Sequence, residues 1–395
     1  MRSKLKHIGL GLVAFIIASA IWLPIVHLFF RQDSSEYFNK KAISQKAKKL
    51  AAWHIQLWND DELRKYELQK MRGSNAEWDF MGRTFLVLSL ANMALQEPES
   101  QEQYLKVIDQ IIDDTLLVEK ELGMYQFLMP YAKDSYFVQK PERSQFIDGE
   151  IALMIAVRCV VDRKSEYMNL LEQRINVIVK RMEKSPVLST ESYPNECWMF
   201  CNSAALAAIK ISDYLSGANH NTFINEWLTI AKKRLVDPDT GILVSSYTYY
   251  GEHLDGPEGS SIWFVINCLM LVDEEFARDQ YERARKELGR TIMGFGYARE
   301  WPDSWKGPID IDSGPIIPVL NISAGSSGLA FVGASSSGDV EYLSSLLTTL
   351  NFAAFPAEKD GCLKYCASNQ VGDAVLLYSL VLGPVWEKVK AGVLK

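Results

Sequence analysis

Apolar residues run almost unbroken from Ile8 to Phe30, and beyond Arg31 they recur every three or four positions instead. The first pattern has the roughly 20-residue length of a membrane-spanning helix. The second is that of amphipathic and buried helices, and almost no stretch shows the strict alternation of a strand. The periodicity predicts helices at 37–58, 77–95, 99–119, 146–162, 165–184, 198–216, 220–235, 259–272, 275–294, 321–334, 338–352 and 369–391. Phe85 to Leu88, Ile151 to Ala156 and Ala204 to Ile209 are apolar nearly all round, whereas 99–119, 165–184 and 275–294 carry a charged face. Fully apolar helices alternating with amphipathic ones predict an all-α fold, an (α/α)6 toroid or barrel preceded by one N-terminal transmembrane helix. A solenoid of helix pairs is disfavoured because the repeats share no short consensus.

The N-terminal run is flanked by Arg2, Lys4 and Lys6, and the excess of basic residues there places the N-terminus in the cytoplasm. The expected organisation is a basic cytoplasmic segment at 1–7, an anchor at 8–30 and a barrel at 31–395 on the extracytoplasmic side, although Lys40, Lys41, Lys46, Lys48 and Lys49 oppose that orientation. Ala18-Ser19-Ala20 has the pattern of a signal-peptide cleavage site. Cleavage there would leave Ile21 to Phe30 as an exposed apolar tail, which favours an uncleaved anchor.

A formal charge of −7 over 395 residues, with no basic run interleaved with aromatics, argues against nucleic acid as a partner. A small molecule and the membrane are the expected partners, and a homo-oligomer is compatible with the sequence. Of the six cysteines, Cys159 and Cys268 fall in apolar helical runs as small buried hydrophobes, while Cys197/Cys201 and Cys362/Cys366 share a spacing of four without the histidines of a zinc site. No metal is expected.

Chemistry gathers at the starts of the apolar helices. Carboxylates occur there in turn: Glu77 and Asp79, Asp148 and Glu150, Glu196, Asp255 and Glu258, Asp310 and Asp312, Asp373. Capping and the helix dipole account for about half of them. They do not account for the aromatics and glycines alongside, as in Glu77-Trp78-Asp79-Phe80 and Gly256-Pro257-Glu258-Gly259. In a toroid the six entrances converge on one end, so a pocket rimmed by carboxylates and rings is expected. The densest entrance is Ser192 to Ser203, where Pro194 and Asn195 stop any preceding helix and Cys201 opens an apolar one.

Candidate catalytic residues are Asp79 and Glu150, each near the start of an otherwise apolar helix where a carboxylate needs a partner, together with Glu196 and Cys201. The Cys201 thiol is expected to ionise more easily at a helix N-terminus and so to shuttle a proton, or else to be a buried first-turn cysteine. Candidate substrate-binding residues are Trp78, Ser192, Tyr193, Cys197, Asn202, His253 and Asp312. Cys197 reads equally as a structural residue or a disulfide partner of Cys201, His253 as an inert loop histidine, and Asp312 as a turn or cap.

One stretch resembles a known family. Ser192-Tyr193-Pro194 followed nine residues on by Cys201-Asn202-Ser203, then Asp213-Tyr214-Leu215, Glu226-Trp227-Leu228 and Asp237-Pro238-Asp239-Thr240-Gly241, is similar to the linalool dehydratase/isomerase family. The resemblance implies an (α/α)6 barrel and the dehydration and isomerisation of a small terpene alcohol without a cofactor. Two positions depart from the family pattern: Ser192 stands where its first loop cysteine does, and Glu150, in Asp148-Gly149-Glu150, stands where it has a histidine. A carboxylic acid can replace imidazole in acid–base work if burial raises its pKa toward neutrality. The expected activity is therefore that of a cofactor-independent lyase or isomerase on a small hydroxylated, terpenoid or lipid-like substrate. A carbohydrate-active hydrolase, lyase or epimerase, or a non-catalytic envelope binding protein on the same barrel, are the alternatives.

Overall fold

A computed structural model of the protein describes residues 2–39, 42–307, 309 and 314–392. Its helices are α1 (Arg2–Val26), α2 (Gln45–Asn59), α3 (Asp61–Ser74), α4 (Ala76–Gln96), α5 (Gln101–Leu122), α6 (Gln145–Val161), α7 (Ser165–Met182), α8 (Met199–Ser216), α9 (Asn221–Arg234), α10 (Gly259–Val272), α11 (Glu274–Glu287), α12 (Ala324–Ser337), α13 (Val340–Ala353), α14 (Gln370–Val381) and α15 (Pro384–Ala391). Six of them, α4, α6, α8, α10, α12 and α14, pack side by side in a closed ring, with α14 returning to α4. These are the segments that are apolar nearly all round; every residue of α6 is buried. Around them lie α2 against α14, α5 against α4 and α6, α7 against α6 and α8, α11 against α10 and α12, and α13 against α12. The sixth outer helix, α9, buries Phe223, Ile224, Trp227 and Leu228 beneath a polar face. The fold is an (α/α)6 toroid.

The inner helices run the same way. Gly82 of α4 meets Val371 of α14, Gly149 of α6 meets Cys201 and Ala205 of α8, and Gly259 of α10 meets Ser326 of α12, so like depths face each other and the N-terminal ends share one end of the ring. The opposite end is closed by α15. Val385 N donates to Asn92 Oδ1 at 3.0 Å, Trp386 Nε1 to Asn267 O at 2.8 Å and Lys388 Nζ to Val160 O at 2.7 Å, so the C-terminal halves of α4, α10 and α6 are all tied to it.

Some boundaries differ from expectation for identifiable reasons. The helix expected at 37–58 begins at Gln45, where the Ser44 hydroxyl accepts from Ala47 N. A separate helix, α3, follows it, capped by Asp60; it buries only Met71 and so has no apolar stripe to reveal it. The helix expected at 369–391 is broken by Gly383, with φ +126°, followed by Pro384.

Short strands, unforeseen from the sequence, shape the loops that enter the inner helices. β1 (Cys197–Trp198), β2 (Ser246–Tyr247) and β3 (His253–Asp255) form one antiparallel sheet leading into α8 and α10. β4 (Gly289–Ile292), β5 (Phe295–Ala298), β6 (Ile316–Ile317) and β7 (Ile322–Ser323), in the order β4-β5-β7-β6, lead into α12. β8 (Pro356–Lys359) and β9 (Cys362–Tyr365) form a hairpin leading into α14. Two to four residues long, they are too short for alternation to register.

At the N-terminus, Lys6–Phe29 is long and apolar enough to cross a membrane, and none of its most apolar window is buried against the barrel.

Candidate functional site

The site is built at the N-terminal ends of α4, α6 and α8. Three devices bring them together. Gly149 removes the side chain that would otherwise hold α6 off α8: a Cβ there would lie 3.0 Å from Cys201 O and 3.3 Å from Ala205 Cβ. The loop before α8 is pinned to the start of α6, since Ser144 Oγ donates to Ser192 O (2.6 Å) and Gln145 N to Glu191 O (2.8 Å). The Glu191 carboxylate, fully buried, then accepts from three backbone amides, Val138 N at 2.7 Å, Gln139 N at 2.9 Å and Asn195 N at 2.8 Å. Tyr193-Pro194-Asn195-Glu196 is thereby a tight turn, with Asn195 in the left-handed region at φ +57°. An Asn tolerates that conformation better than most residues.

Glu150 lies at the centre, 1% exposed. Thr84 of α4 donates its hydroxyl to Oε2, and Oε1 has no hydrogen-bond partner. Burial pushes its pKa up to about 8, the Thr84 bond opposes the shift, and the nearby charge of Glu77 adds to it. The carboxyl is therefore largely protonated at neutral pH. Its surroundings are aromatic. Phe146, one turn before it, meets Phe80 at 5.0 Å, and beside Cys201 the Phe200 ring stacks on Phe264 (4.5 Å), which in turn meets Phe85 (5.1 Å).

Tyr193 joins Glu150 to the rim. Its hydroxyl donates to Glu77 Oε1 and accepts from Met129 N at 2.9 Å, while its ring stacks on Tyr131 at 4.7 Å. Burial and the Glu77 carboxylate both push its pKa well up, so it stays a phenol. Glu196 stands at the rim, half-buried, with Trp198 Nε1 3.2 Å and Tyr131 OH 3.4 Å from Oε2.

Other candidates are placed differently from what the sequence predicts. Cys201 does sit in the first turn of α8 against Ser192, but its thiol is harder to ionise, not easier: burial pushes its pKa well up, the Ser192 hydroxyl only partly opposing it, and Glu150 and Glu77 add to the rise. Desolvation outweighs the helix dipole. Cys197 is a buried free thiol on β1, as Cys201 is on α8. Asn202 is committed to the backbone, with its Nδ2 donating to Thr190 O (3.1 Å) and Trp198 O (2.9 Å) and its Oδ1 accepting from Thr190 N (3.0 Å). Asp79 faces the outer helices, in an ion cluster with Arg83 at 2.9 Å and Arg72 at 3.5 Å; Arg83 also reaches Asp114 of α5 at 2.6 Å. Trp78 lies with His54 and Trp58 between α2 and α4. His253 is exposed on β3 and faces the end of α9, 2.8 Å from Arg234 O. Asp312 lies outside the described residues, as does Asp310.

Sequence reasoning named Glu77 only among the carboxylates at the helix entrances, and Thr84 and Tyr131 not at all. A signal for the first two was present: Glu77 and Thr84 are seven apart and share a face of α4, while Asp79 and Arg83, four apart, form an ion pair on another. Tyr131 comes from a 3-10 turn at Pro130–Lys133 with no periodic pattern.

The sixth entrance opens elsewhere. Asp373 lines a cleft of about 590 Å³ between α2, α3 and the β8–β9 hairpin, with Trp53, Glu67, Lys70 and Lys364. Burial pushes its pKa up to about 7, and its Oδ1 is unpartnered.

The model of the linalool dehydratase/isomerase family matches residues 149–371, more than half of the chain, and takes in Glu150, Ser192, Tyr193 and Cys201. The chain belongs to the linalool dehydratase/isomerase family. Within this linalool dehydratase/isomerase member, Glu77 lies ahead of the matched segment and reaches the site only through the ring closure of α4 on α6. No curated protein matches the chain in sequence. Among solved structures it is similar to a family 76 α-1,6-mannanase from Salegentibacter (11% identity, 78% of this chain and 89% of that one, TM-score 0.49). It is also similar to a cellobiose 2-epimerase from Bacillus thermoamylovorans (12%, 76% and 86%, 0.48) and a family 76 glycoside hydrolase from Bacteroides thetaiotaomicron (10%, 78% and 69%, 0.48). Likeness at this level says nothing about activity.

Proposed function

We propose that this protein is a membrane-anchored, cofactor-independent lyase or isomerase that eliminates water from a small, largely apolar alcohol, with its barrel on the extracytoplasmic side. The observation that carries the reading is Glu150: a buried carboxyl with a pKa pushed up to about 8, one oxygen unbonded, set among aromatic rings. A group of that kind is an acid poised near the working pH. The phenylalanine rings on the adjoining turns, Phe146 with Phe80 and Phe200 with Phe264, suit a hydrocarbon skeleton better than a glycan.

In the reaction, Glu150 gives its proton to the substrate hydroxyl, the C–O bond breaks and water leaves. A proton from the adjacent carbon passes to the Glu77 carboxylate, which Tyr193 holds by its hydroxyl, and the electron pair of that C–H bond becomes the new double bond. The released water carries the proton from Glu77 back to Glu150. Isomerisation follows instead when, before that C–H proton is lost, the water adds to the far carbon of the allylic cation and gives one proton to the Glu150 carboxylate, which restores the acid. Cys201, a neutral thiol, and Ser192 form the wall beside Glu150.

The test is incubation of the purified full chain with terpene and prenyl alcohols, with alkene and rearranged alcohol measured by gas chromatography. Turnover abolished by Glu150→Gln is expected. Absence of turnover on every alcohol, or turnover undiminished in that variant, overturns the reading.

A further inference from the structure

The barrel touches the end of the N-terminal helix at one place. The 3-10 turn that ends it, His27–Phe29, and the following Phe30 lie on the β4–β5 hairpin and the end of α13. The His27 ring is 6.4 Å from that of Phe295 and covers Gly294, whose missing side chain makes room for it; Phe30 meets Phe352 edge-on at 5.0 Å. Asn351 Nδ2 donates to Phe30 O at 3.1 Å. Immediately around this junction, large apolar side chains face outward: Ile292 (39% exposed), Met293 (50%), Phe352 (49%) and Phe355 (65%), with Phe29 (73%) from the helix end itself. Met293 and Gly294, φ +49° and +83°, are the two-residue turn of the hairpin, which sets Met293 at its tip.

We propose that this patch, the β4–β5 tip with the C-terminal end of α13, docks on the lipid bilayer beside the point where α1 emerges from it. The inference rests on α1 being an uncleaved anchor. A predominantly apolar span of 24 residues that ends against the patch places the patch at the interface between headgroups and acyl chains, where exposed Met and Phe side chains are stabilised. The contacts of His27 and Phe30 with the barrel lie within this patch.

The docking has a consequence for the site. β5 runs from the docked tip to Ala298, which is bonded to Ser327 at the start of α12, next to Gly259 at the start of α10. That is a strand's length of roughly 15 Å. The entrance end of the ring is thus held close to the lipid surface, where an apolar alcohol is concentrated, and a lipid-soluble substrate is favoured over a freely water-soluble one.

The experiment places a photoreactive residue at Met293, Phe355, Leu12 or Lys180 of the full chain in phosphatidylcholine nanodiscs and measures lipid adducts by mass spectrometry. Lys180, exposed on α7, is the remote control and Leu12 reports the anchor. Adducts at positions 293 and 355 about tenfold above position 180 are expected from burial at the interface. Adducts at position 12 with positions 293 and 355 no higher than position 180 overturn the docking and leave the anchor standing. Absence of adducts at position 12 overturns both.

Discussion

Gly149 and Cys201 approach so closely that a Cβ on residue 149 would stand 3.0 Å from the Cys201 carbonyl oxygen, a contact that one of the two helices must yield to accept. That approach sets the separation of α6 from α8, and so of Glu150 from the Cys201 thiol. Gly149→Ala gains about 1 kcal/mol of helix propensity but must push apart two buried helices, at about 1–3 kcal/mol. A net loss in thermal stability is expected, with a larger fall in turnover than the stability change explains, read from melting curves and kcat on the same preparations.

Glu150→Gln separates catalysis from stability. Turnover is expected to fall by about 10²–10⁴, the usual worth of a general acid. Stability moves the other way at high pH. The folded protein binds the Glu150 proton more tightly than the unfolded chain, with the pKa raised from 4.5 to about 8. Its favourable contribution is complete below pH 4.5 and lost as pH rises through 8. Melting temperatures at pH 6 and pH 9 are expected to differ less in the Gln variant than in the parent protein.

Asp373 offers the same test away from the site. Its pKa is raised from 3.8 to about 7, so its contribution is complete below pH 3.8 and lost as pH rises through 7. Asp373→Asn keeps an acceptor for Tyr365 N, 3.4 Å away, and removes the charge. A gain of roughly 1–3 kcal/mol at pH 8, absent at pH 4, is expected in denaturant titrations. Equal effects at both pH values would contradict it.

Asp79 is held in an ion cluster with Arg83 and Arg72, so its removal is expected to act on stability. Asp79→Ala leaves Arg83, 4% exposed, without its 2.9 Å partner. A loss of about 1–3 kcal/mol is expected, because Asp114 and Thr115 still hold Arg83, while kcat of the folded fraction at low temperature stays near that of the parent.

The neutrality of Cys201 is open to direct chemistry. With burial holding its pKa well up, Cys201 is expected to resist iodoacetamide at pH 8 in the native protein while the exposed Cys366 is alkylated. Peptide mapping before and after denaturation distinguishes the two. Native alkylation of Cys201 would show a thiolate and return it to the role the helix N-terminus alone predicts.

Much of the architecture is carried by local pattern. All-round apolarity in residues such as Ile151 to Ala156 and Ala204 to Ile209 can be satisfied only by burial on every side, which makes α6 and α8 ring members in any arrangement of this chain. The long apolar N-terminal helix, the order of inner and outer helices and the resemblance around Cys201-Asn202-Ser203 follow from the same kind of reading. α3 escaped it because a helix that buries one residue leaves no periodic trace, and the strands escaped because pairs and quartets of residues are set by their partners across the sheet.

The choice among the carboxylates is of another order. Asp79 and Glu150 look alike as sequence, each an acid in the first turns of an apolar helix. Asp79 meets Arg83 four residues on along its own helix, whereas Glu150 meets Thr84, 66 positions away, and the Asp114 that completes the Arg83 cluster is 31 positions from it. A pKa is the sum of desolvation and neighbouring charge, and both belong to the closed ring, not to the chain. Local pattern requires six buried helices with acids at their entrances; the closed ring makes Glu150 a protonated acid near Glu77 and Cys201, brings Asp114 to the Arg83 that pairs with Asp79, and sets Asp373 in a separate cleft, because desolvation and neighbouring charge belong to the packed molecule.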